Sequence, residues 1–361
     1  MMLANNTPEK ILQTAYETKM ISSGDNSPTI KISETNRQYL LVMLHLRIES
    51  NTIKTVLNWT NEEFEKHIYL LELEGLLKRT GEGYYPTCMV ITAYEGDKLY
   101  NLCKPLIKPT LKMIEKYSNQ IDIISKRIET FNHLPKESYS LLLYSGVLLD
   151  FGQIDNIEEN YLETERPLRN EKRYYYAIQE KAQTDIGAFG MYGNTYFDLG
   201  EIQIGLYGNT RYSTLNLITA NKEILEEHFH DAITDINYAK KQLVKNFVAV
   251  DSQIDLNLNV FYEKLGLNQN AQPIIPVFKT TDLSILSEIA NTISEELILL
   301  LKENDQPLKE YYVSSRYSME ITYEEFFIWW YHFFYTKVTD ELIKQDVIKS
   351  SSRGNQTYIT L

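Results

Sequence analysis

The sequence predicts an α+β protein. A helical N-terminal region with a β-hairpin is joined by a long helix to an α-rich part with a small antiparallel sheet. Three observations carry this expectation. Apolar residues recur at helical spacing from Ile32 to Leu77 and are followed at once by a hairpin signal of glycines and aromatics. From Ile114 to Phe131 the apolar steps alternate three and four. Six of the 15 glycines then fall between residues 187 and 208, beside alternating apolar residues that read as short strands.

Composition bounds the class. The 361 residues are 43% hydrophobic and 24% charged, which excludes wholesale disorder and fits two or three domains. No run of 18 apolar residues is present, and the polar stretch Met1–Lys10 lacks the apolar centre of a signal peptide, so a cytoplasmic protein without a membrane span is expected. Cys88 and Cys103 are too few for a disulfide framework. Residues 1–120 are charge-neutral, so the whole net charge of −13 lies in residues 121–361. The 27 tyrosines are a surplus for this length.

In chain order, residues 1–31 read as a flexible arm rich in Asn, Thr, Ser, Gly and Pro. Ser33 is placed to cap a first helix that buries Tyr39, Leu40, Met43, Leu44 and Leu46. A second short helix over Thr52–Trp59 turns Ile53, Val56 and Leu57 inward. Thr60 and Glu63 have the T-x-x-E spacing of a capping box, opening a third helix that buries Phe64, Ile68, Leu71 and Leu76. Residues 78–85 carry the hairpin signal, and Cys88–Thr92 reads as its return strand.

The run Leu70-Leu71-Glu72-Leu73-Glu74-Gly75-Leu76-Leu77-Lys78-Arg79, followed by Val90-Ile91-Thr92 and Glu95-Gly96, resembles the closing of the third helix and the post-wing segment of winged helix-turn-helix regulators of the MarR or PadR kind. The resemblance covers residues 32–104. It implies a DNA-binding domain whose third helix enters the major groove, with Lys54, Asn61, Lys66, His67, Lys78 and Arg79 as candidate contacts to double-stranded DNA. Glu62, Glu63 and Glu65 at the start of that helix oppose a phosphate-lined groove, so docking on protein stays open.

Residues 105–134 read as a linker and dimerisation helix, opened by Pro109 and closed at His133-Leu134-Pro135. Ile114, Ile121 and Ile128 lie seven apart, as in a two-stranded seam, so a homodimer is expected; a helix packed on its own chain would show the same spacing. Residues 135–348 are expected to form an α-rich sensor or interaction domain, and 349–361 a tail. Within the domain, a helix is expected from Pro167 through Ala182, strands near residues 202–206 and 215–217, and a long helix from Lys222 to Val248. Asp282 is placed to cap a helix to Leu301, and Thr322 with Glu325 to open an aromatic core helix.

Two features suggest a small-molecule or peptide effector. Gly190-Met191-Tyr192-Gly193-Asn194-Thr195 recurs fifteen residues later as Gly205-Leu206-Tyr207-Gly208-Asn209-Thr210, and Gly-Asn pairs suit tight turns that display backbone N–H groups. On the expected helix, Arg169 and Arg173 share a face with Tyr176 and nearly with Arg166. The candidate ligand set is therefore Arg169, Arg173, Tyr176, Tyr192, Asn194, Tyr207, Asn209 and Arg211. A repeated turn and an intramolecular ion-pair face are the plainer readings. His228, His230 and Asp231 lack the i,i+4 histidine pair of a zinc helix. Nucleophile-elbow, Walker and Rossmann motifs are also missing, so no metal, cofactor or catalytic residue is assigned and no enzyme is expected. The function expected is a DNA-binding transcriptional regulator with a sensing domain; the alternative is a protein-interaction adaptor whose N-terminal domain docks on protein.

Overall fold

The computed structural model describes residues 7–22, 26–162, 164–181, 192–209, 215–229, 232–249, 256–349 and 354–361. The chain is a mixed α and β protein in two compact units that are not consecutive in sequence. Met1–Leu106, Glu158–Phe189 and Leu301–Phe334 form the first; Ile107–Ile157, Gly190–Leu300 and Tyr335–Leu361 form the second. The boundaries expected at residues 104 and 135 therefore give way to an interleaved division.

In the first unit, α1 (Pro8–Gln13) and β1 (Tyr16–Ser22) precede three helices, α2 (Arg37–His45), α3 (Ser50–Leu57) and α4 (Asn61–Glu74). The Thr60–Glu63 capping box forms in both directions, and Gly75 closes α4 at φ +75°, the left-handed value that favours glycine. A β-carbon on Gly75 would also stand 3.2 Å from the Arg169 Cα. Strands β2 (Leu77–Thr80) and β3 (Gly83–Pro86) make the hairpin. Ser33 makes no capping bond; a short 3-10 turn over Glu34–Asn36 intervenes and α2 starts at Arg37. Leu40, Met43, Leu44, Ile53, Leu57, Phe64, Ile68, Leu71 and Leu76 share one buried cluster, as the helical spacing predicts.

Strand β4 (Met89–Ile91) does not return to the hairpin. It pairs in parallel with β6 (Lys172–Glu180), which pairs antiparallel on its other side with β1, while β5 (Leu168–Arg169) folds back on the start of β6. The expected helix from Pro167 is thus a hairpin. Asn170 and Glu171 both have positive φ, 43° and 66°, the two-residue connection that matches strand twist. Tyr174 to Gln179 are all buried, and a run rich in aromatics suits a central strand. This also overturns the flexible arm: β1 pairs with β6 over seven residues, and Ile11 of α1 is buried in the same core. Helices α11 (Gln306–Ser314) and α12 (Tyr317–Glu320) belong to this unit.

Helix α5 (Ala93–Ser125) and helix α13 (Tyr323–Lys344) contribute residues to both units. Pro105 and Pro109 lie inside α5 rather than at its start. Both are exposed, so the carbonyls they leave without a helical partner can be met by water. The aromatic block from Phe326 to Phe334 is buried, as expected of a core helix.

In the second unit, wide π-type turns over Leu142–Val147 lead into α6 (Phe151–Ile157). Strands β7 (Tyr192–Asp198) and β8 (Gln203–Asn209) pair antiparallel, with Gly193 opposite Gly208 and Asn194 opposite Tyr207. The described parts of the repeat, Tyr192–Thr195 and Gly205–Asn209, are therefore strands facing each other, not turns. The predicted helix 222–248 is two helices, α7 (Lys222–Phe229) and α8 (Ile236–Val248), followed by α9 (Leu256–Leu265). A hairpin of β9 (Asn268–Gln269) and β10 (Gln272–Pro273) turns through Asn270 and Ala271, again both at positive φ. Strand β11 (Val277–Phe278) and α10 (Asp282–Glu303) follow. The expected tail is β12 (Asn355–Thr360), which sits inside the sheet order β11-β12-β8-β7 and places Ile359 in the core.

The seam at Ile114, Ile121 and Ile128 is buried within this unit, and Lys116 and Arg127 beside it pair with Glu296 and Glu288 of α10. These residues are covered by their own chain, which removes them as a two-chain contact. Among the described residues no helix is long and apolar enough to cross a membrane.

Candidate functional site

The outward face of α4 is a stripe of Glu62, Lys66, Tyr69 and Leu73, spaced four, three and four apart and therefore on one side of the helix. Phe64, Ile68 and Leu71 are spent on the core, so the stripe is what remains for a partner. Tyr69 is 62% and Leu73 57% exposed, two large apolar residues one turn apart. Glu65 and Glu72 flank them.

Electrostatics separates the six candidate DNA contacts. Arg79 pairs with Glu65 at 2.9 Å and Glu72 at 3.5 Å, and its guanidinium lies 5.1 Å from the Tyr84 ring centre. Tyr84 donates its hydroxyl to the same Glu65. The bond from Arg79 holds the Glu65 carboxyl below its ordinary range, so this acid stays ionised. Lys54 donates to the Asn61 side chain at 2.7 Å, joining two of the candidates to each other. His67 stacks on Trp59 at 4.3 Å; burial, then the Arg37 and Lys66 charges, push its pKa down, so it adds no positive charge at neutral pH. Lys78, on the hairpin, reaches the Glu320 carbonyl at 3.4 Å. Lys66 is exposed and carries no ion pair among the described residues. Of the four cations among the candidates, Arg79 is already paired with two acids of α4, and Lys54 and Lys78 donate to neutral oxygens.

The ligand candidates divide between the units. Arg169 is buried and pairs with Glu325 at 2.6 Å; it also donates to the Tyr174 and Thr87 carbonyls. Glu325, reached also by the Tyr176 backbone N–H, lies 156 residues away in sequence. Arg169 is therefore an internal clamp between β5 and α13. Arg173 is exposed and pairs with Glu165, and Tyr176 is buried in β6. In the second unit, Tyr192 donates to Asp340 and accepts from Tyr335 through its carbonyl, and Asn194 accepts from the Tyr358 hydroxyl at 2.9 Å. Tyr207 meets Ser145 at 2.7 Å. The backbone of Asn209 is in β8; its side chain, Arg211, Thr210 and residues 182–191 with the first Gly-Met lie outside the described residues.

Two buried polar clusters escaped sequence reading. In the first unit His45 bridges two carboxylates, Glu320 at 2.6 Å from Nδ1 and Glu95 at 2.8 Å from Nε2. Arg47 pairs with Glu320 and Arg316 with Glu95. Burial opposes the charge on His45, yet the two carboxylates outweigh it and raise its pKa to about 9. In the second unit burial pushes the Asp150 carboxyl up to about 8 despite bonds from Tyr335 and Tyr207. Glu95 at T-x-x-E spacing from Thr92 was the visible signal for the first; it caps α5 through Thr92. His228 stacks on Phe261 at 3.8 Å, and His230 and Asp231 are outside the described residues. Among the described residues no three of His, Cys, Asp and Glu are grouped to hold a metal ion.

Comparison of the chain with protein-family models, with curated proteins and with solved structures finds no match.

Proposed function

We propose that the first unit is a protein-docking module, and that α4 receives a segment presenting apolar side chains within a rim of Lys or Arg. The observation that carries this is the face of α4: Tyr69 and Leu73 exposed side by side, edged by Glu62, Glu65 and Glu72. Aromatic anchors are typical of interface centres, whereas carboxylates facing a duplex oppose the counterion-driven attraction on which nucleic-acid affinity rests. The winged-helix resemblance of residues 32–104 and the order of three helices and a hairpin support a recognition role; the surface chemistry favours protein over DNA.

A photo-cross-linking amino acid at position 69, in the full chain in its own cells, tests this. A discrete protein adduct that Leu73→Asp abolishes supports the proposal. In parallel, binding to a fluorescent duplex is measured across salt. Duplex binding that weakens with Lys66→Ala and loses about one unit of salt slope would instead establish the DNA-binding regulator.

A further inference from the structure

We infer that the first unit pairs with a second copy of this chain through the free edge of β1, antiparallel and with Thr18 on the two-fold axis. This stands independently of the reading of α4.

The hydrogen bonding of β1 leaves that edge open. The Lys181 N–H donates to the Ala15 carbonyl at 2.8 Å, so residues 15 and 181 are a bonded pair. In an antiparallel ladder bonded pairs alternate with unbonded ones. Glu17, Lys19 and Ile21 therefore spend their backbone groups on β6, and Tyr16, Thr18, Met20 and Ser22 point theirs outward. Among the described residues no strand lies on that side, since the sheet order is β1-β6-β4, and no hydrogen bond reaches the backbone of Thr18 or Met20. Both side chains are exposed, Met20 by 42%. A seven-residue edge without proline is a template for another strand.

The charges of β1 select its own copy as that strand. Placing Thr18 opposite itself sets Glu17 against Lys19 of the second copy, and Lys19 against its Glu17, with Tyr16 and Met20 facing each other at both ends. Opposite charges at facing positions stabilise a strand pair, and like charges destabilise it. Within one copy Glu17 and Lys19 already meet at 3.4 Å with less than a fifth of either side chain exposed, so the four charges would form one network weakly screened by water. An axis at Glu17 or Lys19 sets like charges face to face. An axis at Tyr16 or Met20 leaves both without an opposite charge across the pair. The axis at Thr18 joins the outward backbone groups of the two copies and matches both charges of the strand, giving a continuous sheet in the order β4-β6-β1-β1-β6-β4.

The test is sedimentation of the full chain over a range of concentrations, which should show a monomer–dimer equilibrium. Glu17→Lys and Lys19→Glu each set like charges opposite one another and should weaken association at least about tenfold. Mixed in equal amounts, the two variants oppose lysine to glutamate at all four positions and should pair again, a recovery that a folding defect cannot imitate. Thr18→Cys, at an exposed position, should give a disulfide-linked dimer on mild oxidation. Met20→Cys should not, because its two copies would lie four positions, about 13 Å, apart along the strands. A monomer at all concentrations up to about 100 μM, single variants that associate like the wild type, a mixture that does not recover, or cross-linking faster at position 20 than at 18 overturns the assignment.

Discussion

At the scale of the residue, the His45 cluster sets a pH response. The folded state holds the imidazolium with a pKa near 9 against an ordinary value of 6.5, so it keeps a proton that the unfolded chain releases. The stabilisation is complete below about pH 6.5 and is lost as pH rises through about 9; a shift of that size corresponds to about 3 kcal/mol. Asp150 acts in the same direction for a different reason. Its folded carboxyl keeps a proton up to about pH 8 while the unfolded carboxyl ionises near 3.8, so stability falls as pH rises between them. Buried His332, its pKa depressed to about 4, opposes the Asp150 slope below pH 6.5, so urea unfolding should show decreasing stability from pH 6.5 to 9. Asp150→Asn should flatten the slope between pH 6.5 and 8, and His45→Gln the slope above 6.5. A wild-type profile that rises towards pH 9 would contradict both assignments.

At the scale of the element, the second copy of the repeat owes its glycines to strand packing. The Tyr358 ring of β12 lies across Gly205, so close that an added β-carbon would stand about 2.0 Å from it, and a β-carbon on Gly208 would meet the Asn355 backbone. Gly193 in the first copy has nothing within 4 Å. Gly205→Ala should therefore cost about 1–3 kcal/mol by overpacking, and Gly193→Ala much less. Thermal denaturation of the two variants measures the difference, and equal losses would refute this account. Sequence showed the repeat but not its reason, because the clashing residues come from β12, far along the chain. What was legible were elements whose signals are local: the Thr60–Glu63 box, the left-handed Gly75, the hairpin at residues 77–86 and the buried faces of α2 to α4. The Tyr174–Tyr176 run fits either a helix or a strand by spacing alone; β1 and β4 decide it, and neither is near it in sequence.

At the scale of the whole molecule, the two units exchange segments along the chain, which is why charge asymmetry and linker signals misplaced the boundaries. The same distance in sequence hid the use of Arg169, which looked like a ligand group until Glu325 was beside it. The face of α4 was legible, since its glutamates could be read directly from the order of residues. Removing residues 351–361 should strip β12 from between β11 and β8, deleting Ile359 from the core and the Tyr358 cover from Gly205. Hydrogen exchange would then report lost protection over Gln203–Asn209 while Lys172–Glu180 in the other unit stays protected. Unchanged protection of β8 would show that β12 is dispensable.

That arrangement also imposes an order on biosynthesis. The strand that fills the middle of the second sheet leaves the ribosome long after the strands it separates. Until it arrives, β8 and β11 both present bare edges to the cell, each able to recruit a strand from another nascent chain. The interval in which this protein is most exposed to aggregation therefore runs from the synthesis of β8 to the arrival of β12, and it is then that a chaperone would matter most.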